Sequence, residues 1–380
     1  MNAPRLPQPP PEALDASARL AASIRAQIDA AGGWIPFDRY MDAVLYTPGL
    51  GYYAAGARKF GDAPSGGDFV TAPEISPLFA QALAGQIAQV FACCAPRILE
   101  FGAGSGRLAR DLIDALAARG AAPERYAIVE VSADLRERQA RMLAGRQVEW
   151  LAALPADFDG VIVANEMLDV MPVVLFVKRD GAVFARGVTL RAGGLAFAER
   201  PADAQLAQAV AAIEREVGAL PDGYASEIGF VAQAWMRTVA QQLARGVLLV
   251  IDYGFPRREY YHPQRLMGTI MCHYRHHAHA DPFWLPGLND LTAHVDFTAA
   301  AEAAHEAGLD VLGYTSQAHF LLNCGLLDRL REDHTHTHAS AAHRLLSEAE
   351  MGELFKVLAV GRGIEIPLLG FARGDRTHTL

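Results

Sequence analysis

The sequence predicts an α/β fold built on a Rossmann-like parallel sheet with helices on both faces. Three observations carry this. From Arg97 onward, short apolar runs alternate with amphipathic helical stretches. The first such run, "RILEF", leads into the glycine-rich turn "GAGSG" and then a helix. Between Val173 and Arg200, Asp-Gly and Gly-Gly pairs punctuate alternating residues, the pattern of β-hairpins, so a small antiparallel insertion is expected.

In chain order, residues 1–11 are Pro-rich and predict a disordered lead. Residues 12–92 predict an N-terminal helical and loop cap. A helix is expected over Pro11–Ala30, where Leu14, Ala18, Leu20, Ala21, Ile24 and Ile28 recur at helical spacing. The aromatic-rich "WIPFDRYMDAVLYTPGLGYY" and the Gly/Pro-rich "FGDAPSGGDFVTAPEIS" follow, then a second helical pattern over Pro77–Phe91. The core is assigned to 93–172 and 245–380. Its strands are expected at 97–101, 126–131, about 147–151, 160–165 and 246–254, with a last strand in "IEIPLLGFA". Residues 173–244 form the inserted subdomain of hairpins and two helices, assigned to the substrate. Residues 255–297 show no periodicity and read as a long functional loop.

Composition excludes several classes. The chain has 380 residues and a formal net charge of -9, so generic attraction to nucleic-acid phosphate is not expected. Its four Cys form no CxxC pair, which argues against a zinc ribbon or disulfide framework and for a reducing compartment. No run of about 18 apolar residues occurs, and the N-terminus lacks the apolar segment of a secretory signal. A cytoplasmic protein without membrane insertion is expected.

"LEFGAGSGRL" carries the cofactor reading. Glu100 ends a strand, and Gly102, Gly104 and Gly106 form a GxGxG turn into a helix. A dinucleotide fold needs GxGxxG, and Arg107 stands where its third glycine would be. S-adenosylmethionine carries no phosphate, and GxGxG after an acid suits it. Glu100 would then lie near the sulfonium and amino-acid end, and Glu130, at the end of the second strand, would accept from the ribose hydroxyls. A tight strand-to-helix turn without a ligand is the alternative.

After the fourth strand, "NEMLDV" places Asn165, Glu166 and Asp169 where open parallel sheets bind ligands. If helical, Glu166 and Asp169, three apart, would share a face and could grip a guanidinium. Helix capping is the alternative. The Asn/Asp-Pro-Pro-aromatic tetrad of nucleic-acid adenine methyltransferases is absent here.

With these residues, the chain resembles the MidA-like family of class I S-adenosylmethionine-dependent methyltransferases, which includes a mitochondrial assembly factor of respiratory complex I. The resemblance spans about residues 34–325 and rests on "YMDAVLYTPGLGYY", "GDFVTAPEISPLFA", "LEFGAGSGRLARDL", "VEVSADLRERQ", "NEMLDVMPV", "VIDYG" and "PGLNDLTAHVDF". It implies a class I methyltransferase sheet and S-adenosyl-L-methionine as cofactor. It also implies methyl transfer to an arginine of a protein, with a respiratory-chain subunit as one candidate substrate; the oligomeric state stays open, a homodimer being one candidate. Glu166 and Asp169 are the catalytic candidates. Asp68 and Thr71, with Glu74, would belong to a segment folding over the cofactor, and Asp290, Thr292, His294 and Asp296 to a loop near the acceptor; turn chemistry and capping of the helix after Phe297 are the alternatives. Ala103 departs from a proline in the mitochondrial member, and "CHYRHHAHADPF" replaces a different stretch there. A small-molecule acceptor, or a non-catalytic assembly module of the same fold, stays open at this stage.

"CHYRHHAHADPF" gathers Cys272, His273, His276, His277, His279 and Asp281 without the spacing of a zinc site. No metal is assigned. Tyr274, Arg275 and His277 are candidates for shaping the acceptor pocket, with a surface loop as the alternative. "DHTHTHAS" reads as a separate solvated loop.

Overall fold

The computed structural model describes residues 6–55, 70–332 and 336–380. The expected Asp68 and His334 lie outside them. The chain forms two compact units, each discontinuous in sequence: Met1–Phe69, Asp169–Ala232 and Arg257–His294 in one; Val70–Leu168, Gln233–Pro256 and Val295–Leu380 in the other.

The second unit holds the central sheet. Its strands are β1 (Arg97–Phe101), β2 (Arg125–Val129), β3 (Val148–Leu151), β4 (Phe158–Asn165), β5 (Leu243–Phe255), β6 (Asp310–Ser316) and β7 (Phe355–Arg362). The spatial order is β6-β7-β5-β4-β1-β2-β3, and a two-residue strand, Val295–Asp296, pairs with the end of β5. From β5 to β3 all neighbours are parallel, while β7 runs antiparallel to both β5 and β6. The helices Arg107–Ala118 and Ala133–Met142 supply the crossovers that parallel neighbours require. The strand order reverses between β1 and β4, and in open parallel sheets ligands bind beyond the strands' carboxyl ends at such a switch point.

The apolar runs that predicted the strands are the core. Ile98, Val161, Val163, Val247, Leu249, Ile251, Val357 and Ala359 pack in one cluster with Leu108, Leu112 and Leu116 of the first crossover helix. Each fully buried leucine or isoleucine contributes about 1.5–3 kcal/mol of transfer free energy. The helix Pro77–Val90, capped by Ser76 Oγ on Leu78 N, buries Leu83 and Ile87 in the same cluster. The stretch read as one cap over 12–92 is therefore divided between the units.

Two further expectations differ. "IEIPLLGFA" is not a strand: Pro367 has no N–H to give a ladder, and the segment instead folds its Ile364, Leu368 and Phe371 into the core. The last strand is β7, whose apolar run, Val357–Val360, spans only four residues. Residues 255–297 are not structureless. They carry the short helix Arg257–Tyr260 and a three-stranded antiparallel sheet of Met271–Tyr274, His277–His279 and Asp290–Thr292.

The first unit contains that small sheet, the helices Pro11–Ala30 and Phe37–Tyr46, and an antiparallel sheet of five strands. The latter comprises Ile35–Pro36, Val174–Arg179, Ala182–Arg191, Gly194–Pro201 and Ala225–Ile228. Its hairpins turn at Asp180–Gly181 and Ala192–Gly193, all four at positive φ, as the type I′ turn demands. Leu20, Ile24 and Ile28, spaced four apart, pack with Phe37, Tyr40, Met41 and Val188. Among the described residues no helix is long and apolar enough to cross a membrane.

Candidate active site at the strand ends

The candidate site is built in the second unit from the carboxyl ends of β1, β2, β4 and β5. After β1 the chain turns through Gly102, Gly104 and Gly106 with φ of +63°, +53° and +85°, a region that L side chains rarely adopt. Close packing adds to the demand at Gly106, where a Cβ would lie 3.3 Å from the Gln139 Cα. Gly106 then caps the helix Arg107–Ala118. The short helix Ala72–Ile75 buttresses the turn: the Ser105 hydroxyl donates to the Glu74 carboxylate, and Arg107 lies 3.9 Å from it. Thr71 is buried at the N-terminus of this helix, and its carbonyl accepts from Glu74 N at 2.9 Å.

Two acids flank the turn. Glu100 is buried, and burial pushes its carboxyl up to about 7, against the Tyr126 hydroxyl, which donates to it at 2.6 Å and favours the anion. Glu130 directly follows β2. Burial raises its carboxyl too, and donors pull it back: Ser132 N at 2.9 Å and Gln139 Nε2 at 3.0 Å. The second strand is thus shorter than expected and ends at Val129, which frees Glu130 from the ladder.

After β4 no helix forms over 166–169, so the spacing that would have placed Glu166 and Asp169 on one helical face does not apply. Glu166 instead sits at φ +49°, in the left-handed region, a strained setting for a residue with a Cβ. Its N–H donates to the Ile251 carbonyl at 2.8 Å. Asp252 of β5 holds the rest of the turn. It is fully buried; its Oδ2 accepts from Leu168 N at 2.9 Å and Met167 N at 3.2 Å, and its Oδ1 from Tyr253 N at 2.9 Å. Asn165 donates from Nδ2 to the Glu166 carboxylate at 3.3 Å, while its buried Oδ1 has no partner among the described residues. An orphaned acceptor at the end of a central strand invites a ligand donor.

Asp169 belongs to the first unit. It is buried, its carbonyl accepts from Ala293 N at 2.9 Å, and its charge, with that of Asp290, adds to the burial that holds the Tyr53 hydroxyl well above its ordinary value. Asp290 accepts from Tyr53 Oη at 3.0 Å, and Thr292 is buried in the strand Asp290–Thr292. Asp296, in the second unit, is a helix cap: its Oδ1 accepts from Ala299 N at 3.0 Å.

The histidine-rich stretch is a tight hairpin. Arg275 and His276 form its two-residue turn, at φ +45° and +63°. His276 and His277 are exposed, Tyr274 is buried, and burial with the nearby His279 pushes His273 down. Among the described residues no three metal-binding side chains converge. "DHTHTHAS" is not loop throughout, since the helix His336–Leu346 starts within it.

Gln139 and Asp252 were not singled out from the sequence. Asp252 had a signal, a lone acid inside the apolar run "VLLVIDYG". Gln139 had none, because a glutamine in a polar helix reads as solvent-facing.

The glycine turn, the acid after β2 and the orphaned Asn165 oxygen fit S-adenosylmethionine, which presents ribose hydroxyls and an ammonium as donors. The comparisons agree. Residues 82–315 match the family described as "Putative S-adenosyl-L-methionine-dependent methyltransferase". A Burkholderia thailandensis protein, crystallised with bound S-adenosyl-homocysteine, is 54% identical, with a TM-score of 0.94 over 99% of this chain and 100% of that one. The mouse mitochondrial protein arginine methyltransferase NDUFAF7 is 28% identical over 373 residues, 86% of this chain and 81% of its own. The zebrafish protein of the same name is 27% identical over 374 residues, covering 87% and 84%. Sheet order, turn and relatives converge, and the chain belongs to this family of S-adenosyl-L-methionine-dependent methyltransferases.

Proposed function

We propose that the chain transfers methyl to an arginine side chain of a protein substrate. The relatives' names supply the acceptor class. The observation that carries the reading in this chain is Glu166, a carboxylate held in a strained left-handed conformation at the end of β4 by its neighbours on β5. Strain of this kind costs about 1–3 kcal/mol and persists where the surroundings over-determine it.

When bound, S-adenosylmethionine supplies an electrophilic methyl group on a sulfonium. Glu130 would hold its ribose hydroxyls. Gly102, Gly104 and Gly106 would let the backbone approach it, with Glu100 and Asn165 at its amino-acid end and Thr71 beside the glycine turn. Glu166 accepts hydrogen bonds from the guanidinium, fixes which nitrogen is presented, and keeps the positive charge matched. Alignment and charge placement of this kind are the main catalytic levers for an in-line displacement. Asp169, in its first-unit setting beside Tyr53, has no geometric support for a shared grip with Glu166.

The test is Glu166→Gln, which removes the charge and keeps the size. Transfer of labelled methyl from S-adenosylmethionine to lysate protein should fall about 100-fold, the lower range for loss of one preorganised electrostatic group, with S-adenosylhomocysteine affinity within about threefold. Undiminished transfer would remove Glu166 from the chemistry. Label confined to small molecules would replace the protein acceptor with a metabolite.

A further inference from the structure

Gln139 lies on the helix Ala133–Met142 and is fully buried. Its Nε2 donates to the Gly104 carbonyl at 3.1 Å and to Glu130 Oε2 at 3.0 Å. Its Oε1 accepts from Trp150 Nε1, on β3, at 2.9 Å. Both amide hydrogens and the amide oxygen are therefore engaged. The indole is a donor only, so the sense of the amide is fixed: flipping it would set oxygen against two acceptors and NH₂ against a donor. One side chain ties together the glycine turn, the acid after β2 and the neighbouring strand.

We infer that Gln139 is a positioning residue that locks the Glu130 carboxylate to the glycine turn, so that both meet the cofactor as one preformed cradle. The inference rests on the proposed role of Glu130 at the ribose. Glu130 Oε1 is fixed by Ser132 N and Oε2 by Gln139. A carboxylate offers about four lone-pair sites; the N–H groups of Ser132 and Val131 and the amide of Gln139 fix its orientation and leave capacity for a ribose hydroxyl. Without Gln139 the carboxylate could rotate, and Gly104 would lose its anchor on the neighbouring helix.

The experiment is calorimetric titration of S-adenosylhomocysteine from pH 5.5 to 8.5 into the wild type, Glu130→Gln, Gln139→Glu and Trp150→Phe. Gln139→Glu is isosteric but sets a second carboxylate against Glu130 and the Gly104 carbonyl. At pH 8 it should weaken binding tenfold or more. At pH 5.5 the introduced carboxyl is protonated and can donate again, so the loss should shrink to about threefold or less. Trp150→Phe removes the donor that holds the amide oxygen, which loosens the side chain on its two remaining contacts, and should weaken binding about two- to fivefold at every pH. Glu130→Gln losing affinity while Gln139→Glu and Trp150→Phe stay within twofold of wild type overturns the proposal. So does a pH-independent loss in Gln139→Glu that tracks a lowered melting temperature, since that marks packing alone. Unchanged affinity in Glu130→Gln refutes the underlying ribose reading instead. If Gln139→Glu does not fold, Trp150→Phe decides.

Discussion

Replacing Glu100 with glutamine should stabilise the ligand-free protein above neutral pH, by an amount the structure sets. The carboxyl titrates at about 7 in the folded chain, mainly because it is buried, against an ordinary value of 4.5. The folded state therefore holds this proton between pH 4.5 and 7, while the unfolded state has already released it. Stability falls as pH rises through that window and is flat above it. The gap corresponds to a ceiling of about 3 kcal/mol, at 1.36 kcal/mol per pH unit. Glu100→Gln cannot ionise, and its amide oxygen can still accept from the Tyr126 hydroxyl. Any cost of its unpartnered NH₂ is constant with pH. Urea unfolding of both proteins between pH 5 and 8 should show the variant gaining on the wild type as pH rises, by about 1–3 kcal/mol in total. A difference that stays flat, or that grows toward low pH, would show that Glu100 is ionised in the folded protein and refute the burial argument.

Two more outcomes follow from particular contacts. Asp252→Ala leaves the amides of Met167, Leu168 and Tyr253 without their acceptor, and at about 1–3 kcal/mol for each buried orphan the variant should lose at least 3 kcal/mol in urea unfolding. The double substitution Arg275→Asn with His276→Gly puts the preferred pair into a turn whose two central residues have positive φ. It should raise stability by about 1–2 kcal/mol and leave S-adenosylhomocysteine affinity unchanged by calorimetry, and a drop in melting temperature would mean that those side chains stabilise the hairpin.

Much of the central sheet was legible because its signals are local. "RILEF", "GVIVAN" and "GVLLVIDYG" are apolar runs bounded by turn residues, and glycines at 102, 104 and 106 mark a turn whose conformation other residues rarely adopt. Where tertiary context overrides local preference, the sequence misled. β7 hides its short apolar run between Lys356 and Arg362, while "IEIPLLGFA" looks like a strand yet packs as an irregular segment. The hairpin at 271–279 turns on Arg-His rather than Asn-Gly, so no turn signal announced it. Glu166 and Asp169 looked like a helical pair only because spacing was the sole guide. The left-handed φ of Glu166 depends on Ile251 and Asp252, more than 80 residues away in sequence.

The same long-range contacts explain how buried acids are tolerated at the strand ends. Glu100 is held by the hydroxyl of Tyr126, Glu130 by a backbone N–H and the amide of Gln139, and Asp252 by three backbone N–H groups. The Tyr126 donor to Glu100 is neutral, whereas Glu130 also has the Arg136 guanidinium nearby, which donates to its carbonyl at 2.6 Å and favours its anion. At Glu100 the hydroxyl satisfies an oxygen without cancelling the charge, as an arginine in the same place would. Burial makes the remaining negative charge costly, most clearly at Glu100, where the proton is retained to about pH 7. A cation brought beside such a group favours its ionised form and recovers part of that cost. S-adenosylmethionine is a sulfonium and its demethylated product is neutral. With Glu100 at the amino-acid end of the cofactor, as proposed, its buried carboxyl would favour the charged cofactor over the spent one.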